Sequence, residues 1–299
     1  MTDKRPVILW AHARSLSTVF ERPFLRLDRE FHVIHEPFVP IGLAYRANNE
    51  KLLNSIQPPK PTDPITFKHH FTPSLNEILA PHYHNEDQTK PLRVFVKDLA
   101  TIFLTASEGN PLRSKEVLLK FKHTFLIRNP EKSVKSYYKA ANATYKAWDD
   151  ANVPSSERIV LFSANDVGLK ESRALYDLIK DITEEEIPLV DADDLIRYPE
   201  KIMRKFCEMI GAEFRREMLE WEAEKVEHWD VKIPNIYHVP DLYNIWHKNS
   251  AKSTGFNKFV RKEEEEIEYP QYVYDIIDDN KPHYKYLHQF KINKTISTQ

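Results

Sequence analysis

Five short runs rich in β-forming residues, at 7–11, 31–35, 92–96, 124–127 and 187–190, alternate with amphipathic stretches at about 17–29, 112–121, 131–147, 168–183 and 198–210. A chain that alternates strand and helix builds a mainly parallel sheet, because the helical crossovers must lie on its two faces. The expected fold is therefore α/β, three layers with a mainly parallel central sheet flanked by helices. In such sheets ligands bind beyond the carboxyl ends of the strands, which directs attention to the residues following each run.

After the first run the chain reads ILWAHARSLSTVF, a strand leading through ARSLST into a helix. This layout suits a phosphate, yet it has no glycine and no GK[ST]. The whole chain has 5 glycines, at 42, 109, 168, 211 and 255, against 20 prolines, so the three closely spaced glycines of a dinucleotide fingerprint are excluded. ARSLST can still hold an anion. First-turn amides of a helix have no intrahelical partner and carry the positive end of the helix dipole. Ser15, Ser17 and Thr18 add hydroxyls, and Arg14 adds a permanent forked charge. The competing reading is an ordinary serine or threonine cap with no ligand.

A second segment has the same layout: TFLIRNPEKSVKSYYK at 124–139 is strand, RNP, then helix, with Pro130 suited to the first helical position. Arg128 at the strand end and Ser136 two turns into the helix can face one crevice and hold a second phosphate.

The pair of motifs resembles the sulfotransferases that use 3′-phosphoadenosine-5′-phosphosulfate (PAPS), whose fold is a P-loop NTPase-like topology. In that family the first loop grips the 5′-phosphosulfate, and the arginine and serine of the second motif grip the 3′-phosphate. Arg14, Ser15, Ser17 and Thr18 match the first motif, with Leu16 where many members have glycine. Arg128 and Ser136 match the second with the family's separation of eight residues. IPLVDADDLIRYPEKIMRKFCEMIGAEF and PHYKYLHQF resemble later family segments, and HARSLSTVFER with HEPF points to a subgroup of bacteria, fungi and plants. The resemblance covers most of the chain outside 37–91 and 145–165 and implies one sulfotransferase-like domain over 1–299. It implies PAPS as co-substrate, a hydroxyl or amine acceptor and no required metal; the histidine- and aromatic-bearing insertion and the neutral charge suggest that the acceptor is a small molecule. A late loop of the family closes over the nucleotide, which makes Lys252, Ser253, Thr254 and Gly255 candidates, with a helix C-cap as the other reading of Gly255.

In-line sulfuryl transfer needs a base near the acceptor and donors where charge builds on the leaving phosphate. Arg14 and the amides around Ser17 suit the second task. Glu36, in VIHEPF after the second strand, is the expected base, with a structural salt bridge to an arginine of the phosphate loop as the alternative. His35 is another candidate base, but strand alternation predicts that only one of His35 and Glu36 enters the site. Lys97 and Asp98 close the third strand; Lys97 could stabilise the transferring group and Asp98 could serve as base, substrate anchor or helix cap. Trp246 and His247 are candidate acceptor-pocket residues, the Trp reading more simply as core.

The rest of the chain sets bounds. A segment at about 37–91 carries nine prolines and His69, His70, His82 and His84, and reads as an irregular insertion with one or two short helices. Its histidines lack the paired spacing of a zinc site and HExxH, and suit a surface or substrate lining better than a metal. Cys207 is the single cysteine and has the spacing of a core thiol, so no intramolecular disulfide is possible. A formal net charge of −2 gives no general attraction for nucleic acid or an anionic membrane. No signal-peptide-like or membrane-spanning run is seen, and the expected location is cytoplasmic. RKEEEEIE at 261–268 reads as a solvated charge run, and the helical pattern after it is expected to break or kink before Pro282. Oligomeric state is not legible. Two other functions fit the fold class: a P-loop kinase, which would want the missing loop lysine and a magnesium site, and a non-catalytic nucleotide-binding relative.

Overall fold

The computed structural model describes residues 3–46, 67–104, 110–155, 158, 161–163, 166–226, 229, 242–256 and 267–292. The strands are β1 (Val7–Ala11), β2 (Phe31–His35), β3 (His82–His84), β4 (Asp87–Leu99), β5 (Lys122–Ile127) and β6 (Leu189–Asp191). The first helices are α1 (Ser17–Leu25), α2 (Val39–Arg46), α3 (Phe67–Leu79), α4 (Ala100–Leu104) and α5 (Lys115–Leu118). They are followed by α6 (Pro130–Asp150), α7 (Leu169–Ile182), α8 (Ala192–Arg197), α9 (Pro199–Ile210), α10 (Leu242–Ala251) and α11 (Gln271–His288).

The sheet order is β2-β4-β1-β5-β6, all parallel, with β3 antiparallel on the outer part of β4. The expected α/β class with a mainly parallel, helix-flanked sheet is what the chain forms. β1 is fully buried along VILWA, and its side chains divide by period two. Ile8 and Trp10 join one core with Phe125, Ile127, α7 and α11, while Val7 and Leu9 join the other with Phe95, α1 and α9. Each large side chain withdrawn from water in this way stabilises by about 1.5–3 kcal/mol. Phe24 of α1 stacks on Phe95 of β4 at 3.8 Å between centroids, which pins α1 against the sheet.

This order places the site. The chain leaves β1 toward β2 and β4 on one side, then crosses to β5 and β6 on the other. β1 is therefore the switch point, and its carboxyl end opens between the loops after β4 and β5. Ala11 pairs with Leu99 and with Leu126, so the ends of three strands lie side by side.

Several elements differ from expectation. Within 37–91 the described parts are α2, α3, β3 and the start of β4, whose polar outer half is drawn into pairing by β3. The expected helix at 112–121 is a 3₁₀ turn at Pro111–Arg113 followed by the four-residue α5. α1 stops at Leu25, two residues after Pro23, rather than near 29. α11 does not break before Pro282; it continues to His288, held by Val273, Ile276, Ile277 and Leu287 in the core. Cys207 is buried, and burial pushes its thiol up to about 12. Most of the acidic run, 261–266, lies outside the described residues.

Candidate functional site

The loop after β1 folds without glycine by placing side-chain-bearing residues in the left-handed region. Arg14 has φ 60° and Leu16 φ 72°, conformations that disfavour a Cβ by about 1–2 kcal/mol. Leu16 thus adopts the backbone shape that suits a glycine. It stands at the N-cap of α1, and no side chain caps that helix. The ordinary capping alternative fails, and the first-turn amides at Ser17 and Thr18 are left facing the crevice. Ser15 is fully buried and its hydroxyl has no partner among the described residues.

The two motifs meet here. The ring of His12 accepts from the backbone N–H of Arg128 at 2.9 Å through Nε2, tying the end of β1 to the end of β5. That acceptor role puts the ring proton on Nδ1. Burial, then the Arg128 charge, lowers His12 to about 3, so the ring is neutral. Arg128 Nη1 donates to the Arg14 carbonyl at 3.0 Å. Arg14 Nε donates to Ser136 Oγ at 3.1 Å, and its Nη1 to the Trp246 carbonyl at 2.8 Å, with the guanidinium over the Trp246 ring. Burial and the like charge of Arg128 lower Arg14 to about 10. No carboxylate among the described residues pairs with Arg14. α6 begins at Pro130, and the Asn129 side chain accepts from Glu131 N–H, which fixes where Ser136 emerges.

A second cluster lies at the ends of β2 and β4. Glu36 also has positive φ, 46°, and its N–H donates to the Lys97 carbonyl at 2.7 Å. Its carboxylate pairs with the Lys97 ammonium, which is almost wholly buried. Burial would raise Glu36, but the charges of Lys97 and His35 outweigh it and bring it to about 2. The salt bridge that Glu36 makes is to Lys97, not to the loop arginine of the alternative reading. Strand alternation also fails at this point: the left-handed turn swings Glu36 back, and its Oε2 lies 3.8 Å from Nε2 of His35. Both residues therefore belong to one cluster. His247 of α10 sits edge-on to His35 at 5.7 Å and is lowered to about 3 by burial and then by His35.

Asp98 is buried and occupied. Its Oδ2 accepts from Phe38 N–H at 2.8 Å and its Oδ1 from Leu99 N–H at 2.7 Å. Through both oxygens it anchors the entries to α2 and α4. Asp98→Ala strands two buried amides and is expected to cost about 2–4 kcal/mol in urea denaturation, with bisphosphate or phosphate binding little changed.

The late loop is tied into the same region. Ser253 Oγ accepts from Trp221 Nε1 at 3.1 Å and donates to the Ser250 carbonyl at 2.7 Å, so its hydroxyl is already committed. Gly255 forms a bridge with Glu220 and has no positive φ, which removes the C-cap reading. Lys252 is exposed and Thr254 half-buried. The actual C-cap of α10 comes from Arg22 of α1, whose Nη2 donates to the carbonyls of Ser250, Ala251 and Glu224 at 3.3, 3.2 and 2.9 Å. Arg22 also lies 4.7 Å from the Trp229 ring centroid. Sequence reasoning missed Glu21, Arg22, His12 and Trp229. The available signal was an adjacent Glu–Arg pair on α1 one turn past the loop, on positions that the helix turns inward. Among the described residues no group of three His, Cys, Asp or Glu could hold a metal, and no helix is long and apolar enough to cross a membrane.

Comparison with known proteins gives partial likenesses. No model of a known protein family matches the chain. Branched-chain-amino-acid aminotransferase-like protein 2 of Arabidopsis thaliana is 27% identical over 174 residues, 58% of this chain and 25% of that protein. Branched-chain-amino-acid aminotransferase-like protein 1 of the same plant is 27% identical over 177 residues, with the same coverage. The chain spans about a quarter of the length of the curated relatives it matches. Among solved structures, the sulfotransferase domain from the curacin biosynthetic pathway aligns with TM-score 0.42 and 10% identity over 92% of this chain and 97% of that one. The sulfotransferase domain from the Synechococcus PCC 7002 olefin synthase aligns with TM-score 0.40 and 12% identity over 93% and 95%.

Proposed function

We propose that the chain is a sulfotransferase that moves a sulfuryl group from PAPS to a hydroxyl or amine of a small molecule. The observation that carries this reading is the joined pair of motifs. Two guanidiniums, Arg14 and Arg128, are crowded together at an uncapped helix N-terminus with no carboxylate among the described residues paired to Arg14. Like charges held this close are destabilising unless an anion is to be bound between them. The unpartnered Ser15 hydroxyl, the α1 amides and Ser136 complete a donor set with the chemistry of a two-phosphate ligand.

In this reading Arg14, Ser15, Leu16, Ser17 and Thr18 hold the 5′-phosphosulfate end and Arg128 with Ser136 the 3′-phosphate. The bound donor supplies the sulfuryl group and a stable phosphate leaving group. Glu36 takes the acceptor's proton as the new S–O bond forms and the bond to the bridging phosphate oxygen breaks. At about 2 the Glu36 carboxylate paired with Lys97 is a weak base; movement of the Lys97 ammonium toward the developing charge would raise its basicity when it is needed. Lys252 and Thr254 are the late-loop groups left to reach the nucleotide, since the Ser253 hydroxyl is committed. The aminotransferase-like name of the Arabidopsis relatives belongs to proteins of which a quarter is matched.

Calorimetry with 3′,5′-adenosine bisphosphate tests the donor site; absence of binding ends the proposal. Glu36→Gln is expected to bind the bisphosphate as the wild type does while sulfuryl transfer, followed by mass spectrometry with a metabolite mixture and PAPS, falls by about 100-fold or more. A nucleotide-binding relative without catalysis would bind and show no transfer to lose.

A further inference from the structure

We infer that Glu21 is a positioning residue for this site, fixing the orientation of His35 and, through it, the carboxylate of Glu36. The inference rests on the sulfotransferase reading of Glu36. Glu21 lies on α1 one turn beyond the phosphate loop, fully buried where a helix of this fold would ordinarily bury an apolar side chain. Both of its carboxylate oxygens are engaged. Oε1 accepts from Trp229 Nε1 at 3.0 Å, and Oε2 lies 2.6 Å from Nδ1 of His35. A carboxylate only accepts, so Nδ1 carries the proton and donates. With Nδ1 fixed in this way, the other ring nitrogen, Nε2, faces Oε2 of Glu36 at 3.8 Å, an electrostatic contact longer than a hydrogen bond. The remaining oxygen of Glu36 is held by Lys97.

The result is a buried series: indole, carboxylate, imidazole, carboxylate, ammonium. Its members come from Trp229, α1, the end of β2 and the end of β4. Glu36 is the member with measurable exposure, 13% for its side chain, while the side chains of Glu21 and His35 are at 0%. Substrate can therefore touch Glu36, and Glu21 acts only through His35. The arrangement has the logic of a catalytic triad's orienting carboxylate, which sets a ring's tautomer without touching the reactants. It also joins the two halves of the site. α1 presents its first-turn amides to the donor and, four residues later, the group that aligns the base.

The titratable and charged groups facing His35 and Glu36 are Glu21 from α1, Lys97 and Asp98 from β4, and His247 from α10, with Arg22 behind Trp229. The test uses the full chain with Glu21→Gln, His35→Gln and the double variant. Three readouts are compared: ¹⁵N-histidine resonances of His35, calorimetry with 3′,5′-adenosine bisphosphate, and release of the bisphosphate from PAPS with water as acceptor across pH. Glu21→Gln is expected to lose the Nδ1–H signature of His35, to bind the bisphosphate within about twofold of wild type, and to slow release by about 10- to 100-fold with a displaced pH profile. The double variant is expected to be no slower than His35→Gln alone, because both act on one chain of contacts. Unchanged His35 resonances or unchanged release in Glu21→Gln overturns the inference, as does additive slowing in the double variant. Loss of bisphosphate binding together with release also overturns it, since Glu21 would then support the loop and not the base. If the wild-type protein itself binds no bisphosphate, the sulfotransferase reading fails, and the histidine resonances alone then decide whether Glu21 holds His35.

Discussion

Arg128→Ala is expected to weaken binding of 3′,5′-adenosine bisphosphate by about 30- to 1,000-fold while leaving the unliganded protein as stable as the wild type. The two halves of this expectation have the same origin. Without a ligand the Arg128 guanidinium donates to the Arg14 carbonyl, and its like charge adds to burial in lowering Arg14 to about 10. Removing it relieves that repulsion and forfeits ordinary hydrogen bonding, effects of opposite sign. With a phosphate in place the balance reverses, because a charge-assisted bond in a buried setting is worth about 2–4 kcal/mol. The backbone bond from Arg128 to His12, which ties the two loops, survives the substitution. Thermal unfolding separates the outcomes: ligand at 100 times its dissociation constant adds about 2.7 kcal/mol to the wild type and less than about 1 kcal/mol to the variant at the same concentration. If Arg128→Ala unfolds without ligand, the residue serves the fold, and the two-phosphate reading loses its main support.

What could be read in the sequence was local. Periodicity located the parallel strands and the main helices because a strand buried on both faces, such as VILWA, is legible from its own composition. The paired motifs were legible for the same reason: each is a strand end, a short loop and a helix start, and the topology sets both at one edge of the sheet. The charged cluster beside them was not legible. Glu36 leaves the strand with positive φ, so the alternation rule that separated it from His35 stops one residue too early. Glu21 and Arg22 stand at inward positions of α1, but their partners Trp229, the end of α10 and His35 arrive from more than 200 residues away in two cases and 14 in the third. Such long-range pairings leave no local trace. Three of the four described non-glycine residues with positive φ, Arg14, Leu16 and Glu36, fall in these two loops. Strain concentrated where two strand ends meet is what a site held ready for a ligand shows, and a sequence does not display backbone angles.

Glu36→Ala should be the most destabilising single change at the site. Lys97 is 1% exposed, and Glu36 is the carboxylate that neutralises it. Removing one member of a buried pair strands the other, at a cost of about 3–5 kcal/mol, whereas replacing both with apolar groups of similar size is often close to neutral. The pair Glu36→Leu with Lys97→Met should therefore recover most of what Glu36→Ala loses, in urea denaturation at neutral pH. The pH dependence carries the same information with a definite sign. The folded-state carboxyl is depressed from 4.5 to about 2, which corresponds to about 3 kcal/mol. That contribution is complete above about pH 5 and is lost as the pH falls through 4 toward 2, because the unfolded chain takes up the proton first. The double variant, lacking both charges, should unfold in acid with a shallower loss over the same interval. An equal acid loss in the two proteins would mean that Lys97 does not hold Glu36 ionised, and the pair would then be a poor candidate for releasing a base when the donor's charge draws the ammonium away.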